Sequence, residues 1–148
     1  MGELGDTAEG VFADIKPLGK FQRLGWRRPE VKMKHMSSNI RHMPDYYCES
    51  GYHVEVMGLG RDGVLKLKTE KYDALKWWNK SGNPVALFIW NSHLKQYALI
   101  SWGELKRLIS KARNEGIAEF ESDGNTYYPI KWEWIAEGCI VSDVEAAA

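Results

Sequence analysis

A continuous apolar run, PVALFIW at residues 84–90, constrains the fold of this chain more than any other feature. A strand without polar residues must be covered on both of its faces, as the central strands of layered α/β proteins are. A second apolar run, QYALIS at 96–101, follows directly, and segments with helical spacing flank the pair. The chain therefore predicts an α/β fold with a central mixed sheet flanked by helices.

The other elements follow from local patterns of turns, caps and apolar residues. A first helix is expected to be capped by Asp6, with Glu9 completing a capping box, and to end at Pro17 and Gly19. A second helix is expected from a cap at Thr69 to Gly82, and a third spans 102–116. The predicted strands are 31–35, 45–48, 52–58 and 64–68, and 118–135 is predicted to be a C-terminal hairpin about Asp123-Gly124-Asn125.

Composition bounds the class of protein. The 148 residues suggest a single domain over 1–148, and no apolar run approaches the ~20 residues that span a bilayer. Cys48 and Cys139 stand alone, without the spacing of a zinc site or a disulfide framework. We therefore expect a protein of a reducing cytoplasm that does not enter a membrane.

Charge is segregated although the net charge is zero. Residues 16–43 hold eight basic residues and one acidic residue, and 61–118 hold eleven basic and five acidic residues. Residues 119–148 hold one basic and seven acidic residues. We call residues 16–43 the basic front segment. Its charge, together with the acidic residues at 119–148, indicates a polyanionic partner, although a solvated surface with segregated charges would give the same pattern.

The stretch PDYYCESGYHVEVMG, at 44–58, can bring two carboxylates together. If Glu49, Ser50 and Gly51 form a three-residue turn, Asp45 lies directly opposite Glu55, where like charges destabilise a sheet. A divalent cation would convert this repulsion into binding. Alternation puts His53, Glu55 and Met57 on one face and Val54 and Val56 on the other. A two-residue turn would instead set Asp45 opposite Val56.

Each of these residues also has an ordinary structural interpretation. Glu9 can simply cap its helix, Asp45 can be a turn residue after a proline, and Glu55 can lie on a solvated strand face. A lone strand histidine such as His53 is more often a surface residue than a ligand. The order in which the acidic residues occur is what favours a metal site.

That order resembles the PD-(D/E)XK nuclease superfamily, in which Pro-Asp is followed by Glu-x-Lys. Pro44-Asp45 and Glu55 match the motif, and Glu9 matches the acidic residue that many members carry in the first helix. The helix from Thr69 and the strand over 84–90 match the element that follows. Holliday junction resolvases and phage recombination nucleases of similar size share this layout. The resemblance implies a restriction-endonuclease-like core.

Met57 departs from the motif, because the family has a lysine there. Methionine has a similar length but carries no charge and donates no proton. Three explanations stand. The lysine's role has moved to a neighbour, with Lys66, Lys68 and Lys71 the nearest in sequence; or the protein binds DNA without cutting it; or the lysine was replaced to trap an inactive form.

The resemblance implies phosphodiester hydrolysis dependent on Mg²⁺ or Mn²⁺. Asp45, Glu55 and the carbonyl of Val56 would hold the ion, with Glu9 nearby or acting through water, and Lys66 or Lys68 would stand in for Met57. The ion would polarise the phosphate and activate water. Phosphates of branched or duplex DNA would be bound by basic residues of the front segment: Arg23, Arg27, Arg28, Lys32, Lys34 and Arg41.

The leading hypothesis is thus a structure-selective, metal-dependent DNA endonuclease of the cytoplasm of a bacterial or phage-infected cell. Its pathway would be DNA recombination or repair, and a homodimer is compatible with the sequence. The alternative is a catalytically inactive DNA-binding module on the same fold. A basic scaffold protein without a nucleic-acid role is a third hypothesis.

Overall fold

A computed structural model describes residues 3–24, 36–115, 120–122 and 124–144. It confirms the predicted α/β fold, in which helices flank a central mixed sheet and a hairpin lies near the C-terminus. The helices are α1 (Glu3–Ile15), α2 (Ser38–Arg41), α3 (Thr69–Lys80), α4 (Trp102–Asn114) and α5 (Trp132–Gly138). The strands are β1 (Phe21–Arg23), β2 (Tyr46–Cys48), β3 (His53–Gly58), β4 (Val64–Lys68), β5 (Val85–Asn91), β6 (Gln96–Ser101), β7 (Phe120–Ser122), β8 (Asn125–Lys131) and β9 (Val141–Asp143).

The central sheet has six strands in the order β1-β2-β3-β5-β6-β9. Strands β3 and β5 are parallel, and the other neighbours in this sheet are antiparallel. A second sheet has three strands in the order β4-β8-β7, and β7 and β8 form the predicted C-terminal hairpin. The crossover from β3 to its parallel neighbour β5 passes through β4 and α3. Helix α3 contacts β3, where Lys71 meets Glu55 and Trp78 meets His53.

Strand β5 is covered on both faces, as its sequence predicts, and all seven of its residues are buried. Ala86, Phe88 and Trp90 pack with residues of α1 such as Phe12. Leu87 and Ile89 face a larger core on the other side, to which helices α3, α4 and α5 and the second sheet contribute. Every strand that pairs with β5 is therefore fixed between two apolar layers.

The β2–β3 hairpin has the register on which the carboxylate prediction depends. Tyr46 pairs with Val54 and Tyr47 with His53, so the same register puts Asp45 opposite Glu55. The turn contains Glu49, Ser50 and Gly51, and the positive φ of Gly51, 95°, suits a residue without Cβ. Val54 and Val56 face α1, whereas Met57 packs against the core on the α3 side.

Several local expectations are wrong. Helix α1 begins at Glu3, so Asp6 lies inside it, and Thr69 is the first residue of α3 after an N-cap at Lys68. The segment 132–135 is helical, because Trp132 and Ile135 lie one turn apart and are both buried. The expected strand at 31–35 lies outside the described residues.

Strands β1 and β9 have no counterpart in the expectations. They are three-residue edge strands whose place is set by pairing with β2 and β6. In the described ranges, no helix is both long enough and apolar enough to cross a bilayer.

Phe12 provides a test of how α1 is held on the sheet. Its ring is fully buried and lies 5.0 Å from that of Tyr46, 5.1 Å from Phe21 and 5.3 Å from Phe88, measured between centroids. Replacing it by alanine should leave a cavity and lower the free energy of unfolding by about 3–5 kcal/mol. Urea denaturation followed by tryptophan fluorescence measures the change.

The matched control is Leu94→Ala, since Leu94 is 56% exposed in the β5–β6 turn. This control should change stability by less than about 0.5 kcal/mol. A Phe12→Ala variant as stable as Leu94→Ala would show that α1 does not depend on this contact.

Candidate metal and active site

Asp45 is positioned by the end of strand β2. The His53 N–H donates to the Pro84 carbonyl, so the N–H groups of odd-numbered residues in β3 point toward β5. The N–H groups of even-numbered residues, including Val56, therefore point toward β2. Strand β2 begins only at Tyr46, which pairs with Val54, so β2 does not extend far enough to provide a backbone acceptor for the Val56 N–H. Asp45 Oδ2 accepts the Val56 N–H at 2.9 Å instead. The Asp45 backbone is also fixed, because its carbonyl accepts the Leu24 N–H.

Glu55 faces Asp45 from the middle of β3 and is buried, with 5% of its surface exposed. Burial and, next, the charge of Asp45 raise the pKa of the Glu55 carboxyl to about 8, while Lys71 opposes the shift. Burial likewise raises the pKa of Asp45, against the Val56 N–H, which lowers it. At neutral pH the pair therefore holds a proton, which the two carboxyls can share in a hydrogen bond.

A lysine reaches this pair from α3 rather than from β3. Lys71 Nζ lies 3.1 Å from Glu55 Oε2. The carbonyls of His42 and Met43 also accept from Nζ, at 3.3 and 3.5 Å, which orients the ammonium toward the carboxylates. Met57, where the resemblance leads one to expect a lysine, is a partly buried residue packed against the apolar core.

The other two candidate lysines lie on β4, in the second sheet. Lys66 and Lys68 alternate with the buried Leu65 and Leu67 and project from the exposed face of that strand. Lys66 forms an ion pair with Asp62 at 3.7 Å. Of the three lysines nearest in sequence to Glu55, the structure thus pairs Lys71 with it.

Glu9 is buried on the opposite face of the sheet from Glu55. Its Oε1 accepts from Arg23 Nη2 at 2.7 Å and from the Tyr46 hydroxyl at 2.9 Å. Tyr46 packs in the core under α1, whereas Asp45, one residue earlier, faces the other way. Within the described part of the chain, no three acidic, histidine or cysteine residues lie close enough together to hold a metal ion. Glu9 is therefore not brought into one cluster with Asp45 and Glu55.

The basic front segment is described only in part. Arg23 is engaged by Glu9 and lies over the Tyr46 ring, 4.8 Å from its centroid. Arg41, in α2, approaches Glu70 at 4.0 Å. Arg27, Arg28, Lys32 and Lys34 lie outside the described residues.

The pair Asp45–Glu55 has the donor chemistry of a hard-cation site. Glu55 Oε1 is buried and accepts no hydrogen bond from the described residues, and the Asp45 oxygens lie opposite it. The carbonyl of Val56 points to the same side of β3 as its N–H, toward Asp45. Carboxylate and carbonyl oxygens are what Mg²⁺ and Mn²⁺ prefer, with water completing the coordination. The residues present thus fit a divalent ion.

The chain is similar to known proteins in fold rather than in sequence. No family model matches the chain, and a search of curated proteins finds no relative. Among solved structures, the fold is similar to that of a Holliday junction resolvase from the archaeal hyperthermophile Archaeoglobus fulgidus, with a TM-score of 0.49 and 10% sequence identity. The alignment covers 88% of this chain and 92% of the resolvase.

The raised pKa of Glu55 predicts an unusual pH dependence of stability. The folded carboxyl, with a pKa of about 8, holds its proton where the unfolded one, with an ordinary value of 4.5, has lost it. Between pH 4.5 and 8 the folded chain therefore binds more protons than the unfolded chain does. The unfolding free energy of the metal-free protein should consequently fall as pH rises through that window. Urea denaturation at a series of pH values in EDTA measures this fall.

Glu55→Gln removes the titrating group and should abolish most of the decrease in unfolding free energy with pH. The variant should therefore be more stable than the parent near pH 8. Glu137→Gln, at an exposed position of α5, should retain the parent's profile. The assignment would be wrong if parent and Glu55→Gln lost stability in parallel.

Proposed function

We propose that this chain is a metal-dependent DNA endonuclease that hydrolyses phosphodiester bonds and selects its substrate by structure, like a Holliday junction resolvase or a phage recombination nuclease. The observation that carries the proposal is the opposed Asp45–Glu55 pair, in which Glu55 is buried and lies 3.1 Å from Lys71 Nζ. Two opposed carboxylates with an ammonium beside them are costly for stability. They are the groups that phosphodiester hydrolysis requires, in the order of the PD-(D/E)XK motif.

Each residue has a distinct role in this proposal. Asp45, Glu55 and the carbonyl of Val56 would hold Mg²⁺ or Mn²⁺, and Glu9 would act indirectly, since Tyr46 links it to the backbone beside Asp45. When bound, the ion polarises the scissile phosphate and lowers the pKa of the attacking water. Occupation of the site would displace the proton that the two carboxyls share in the metal-free protein.

Lys71 would do the work of the lysine that Met57 replaces. Its ammonium lies against Glu55, where it can orient the attacking water and stabilise the charge that develops on the phosphate. The His42 and Met43 carbonyls hold it there before substrate binds. The migration explanation of Met57 is thereby favoured, with α3 as the new origin of the lysine.

DNA, branched or duplex, would be the partner. The basic residues at 27–34, together with Arg41, would hold the phosphates that flank the cut, which positions the strand without reading its sequence. The whole of 1–148 would act as a single nuclease-like domain, in the cytoplasm of a bacterial or phage-infected cell, alone or as a homodimer.

Cleavage assays on lysine variants test this function. With four-way junction, duplex and single-stranded DNA in Mg²⁺ or Mn²⁺, Lys71→Met should slow cutting by about 10²–10⁴-fold, the usual contribution of one such group. Lys66→Met and Lys68→Met are matched controls from the exposed face of β4 and should cut like the parent. Met57→Lys should change little, because position 57 packs in the core and Lys71 already provides the charge.

The outcomes separate the alternatives. Full activity in Lys71→Met would refute the role of Lys71. Strong activation by Met57→Lys would mean that the lysine function is absent from the parent. A parent and a Met57→Lys variant that both bind DNA but never cut it, with either metal, would favour the inactive DNA-binding module.

A further inference from the structure

Four aromatic rings form a continuous series on the Glu55 face of the sheet. The rings of Tyr47 and His53 lie 4.9 Å apart, those of His53 and Trp78 6.0 Å, and those of Trp78 and Trp77 5.6 Å, between centroids. We call these four residues the aromatic ladder. It runs from β2, across β3, onto α3.

The ladder begins next to the candidate metal site. Tyr47 and His53 are a cross-strand pair, and the register makes Asp45 and Glu55 the next pair on the same face. Two residues along a strand correspond to about 7 Å. A nucleotide whose phosphate lies at Asp45 and Glu55 would therefore bring its own base, or that of a neighbour, to the ladder.

Both ends of the ladder are open. Tyr47 is 44% exposed and Trp77 is 45% exposed, whereas His53 and Trp78 between them are largely covered. Gln22, paired with Tyr47 in β1, is exposed as well, so the described elements leave this face of β1 and β2 uncovered. Large aromatic surface exposed to solvent beside the Asp45–Glu55 pair is not explained by core packing.

The middle of the ladder is fixed by burial and hydrogen bonding. Trp78 Nε1 donates to the Asn39 carbonyl at 2.9 Å, which anchors that ring to α2. His53 is 9% exposed, so its ring is enclosed between its neighbours. The exposed end rings thus rest on rings that do not move freely, as a stacking surface requires.

The charge around the ladder suits a nucleic acid. Lys76 and Lys80, both exposed, flank Trp77 in α3. Exposed lysines near an exposed indole suit a strand in which bases alternate with phosphates. Asp73, one turn before Trp77, is the acidic residue nearest to it in α3.

We propose that the aromatic ladder binds unpaired nucleobases next to the scissile phosphate, with Tyr47 and Trp77 as the stacking surfaces. This inference rests on the proposed function and adds to it the origin of structure selectivity. A base within a continuous duplex must first be unstacked, whereas a base at a branch point, flap or gap is already free to stack. The ladder therefore favours DNA that has unpaired bases at the site of cutting.

Binding assays with a labelled single strand and a fully paired duplex of the same sequence test the inference. In EDTA, which prevents cutting, Tyr47→Ala and Trp77→Ala should each weaken single-strand binding by about five- to 140-fold, the usual effect of removing one stacked ring. Duplex affinity should change by less than about twofold. Tyr47→Phe and Trp77→Phe, which keep an aromatic face, should restore most of the single-strand affinity.

Tyr52→Ala is the matched control. Tyr52 is 38% exposed in the same hairpin, but it lies on the opposite face, beside Leu18 and Ala86. This variant should bind both DNA forms like the parent. Urea denaturation of each variant measures its stability, so that a loss of DNA affinity can be distinguished from a loss of folded protein.

The results distinguish the inference from the proposed function. Equal losses for single strand and duplex, or no loss in either alanine variant, would overturn the ladder as a base-binding site even if the parent cuts DNA. A parent that binds no form of DNA would overturn the ladder and the nuclease proposal together.

Discussion

The opposition of Asp45 and Glu55 across the β2–β3 hairpin is the constraint on which the rest of the site depends. Two carboxyls in a buried position repel each other, and desolvation adds to the cost. Two contacts offset that cost: the Val56 N–H donates to Asp45, and the Lys71 ammonium lies against Glu55. A proton, which the raised pKa of Glu55 retains on the pair at neutral pH, reduces the repulsion further.

The two faces of β2 carry two separate charged networks. On the α1 face, Arg23 and Tyr46 hold Glu9, and the Phe12 ring packs over Tyr46. On the α3 face, Lys71 meets Glu55. Asp45 and Tyr46 are consecutive residues, so displacement of one network would move the other. The partly buried ion pair of Glu9 with Arg23 therefore helps to fix the backbone from which Asp45 projects.

Helix α3 connects the site to its surroundings. Its first turn provides Lys71, its middle packs Tyr72 and Leu75 into the core, and its last turns present Trp77 and Trp78. The helix lies in the crossover from β3 to the parallel strand β5, so the catalytic candidates and the aromatic ladder are fixed by the same packing. One helix thereby couples the proposed chemistry to the proposed selection of unpaired bases.

Patterns that act locally could be predicted from the sequence. The unbroken run in β5 indicates a strand covered on both faces, and Glu-Ser-Gly indicates the three-residue turn that sets Asp45 against Glu55. The position of Lys71 could not be predicted, because it depends on how α3 packs against β3. The ion pair of Glu9 with Arg23 cannot be predicted either, because neither sequence distance nor residue type distinguishes an ion-pair partner from a metal ligand. The pattern around Trp132 predicts a strand because aromatic residues alternate there, whereas the structure has the helix α5.

Proton release on metal binding tests the central claim most directly. Calorimetric titration with Mn²⁺ at pH 7, in two buffers of different ionisation enthalpy, measures the number of protons displaced. Because the pKa of Glu55 is about 8, binding should release about one proton per ion, and both binding and release should be lost in Asp45→Asn. Binding without proton release, or Mn²⁺ affinity unchanged in Asp45→Asn, would contradict the assignment of the metal to this pair.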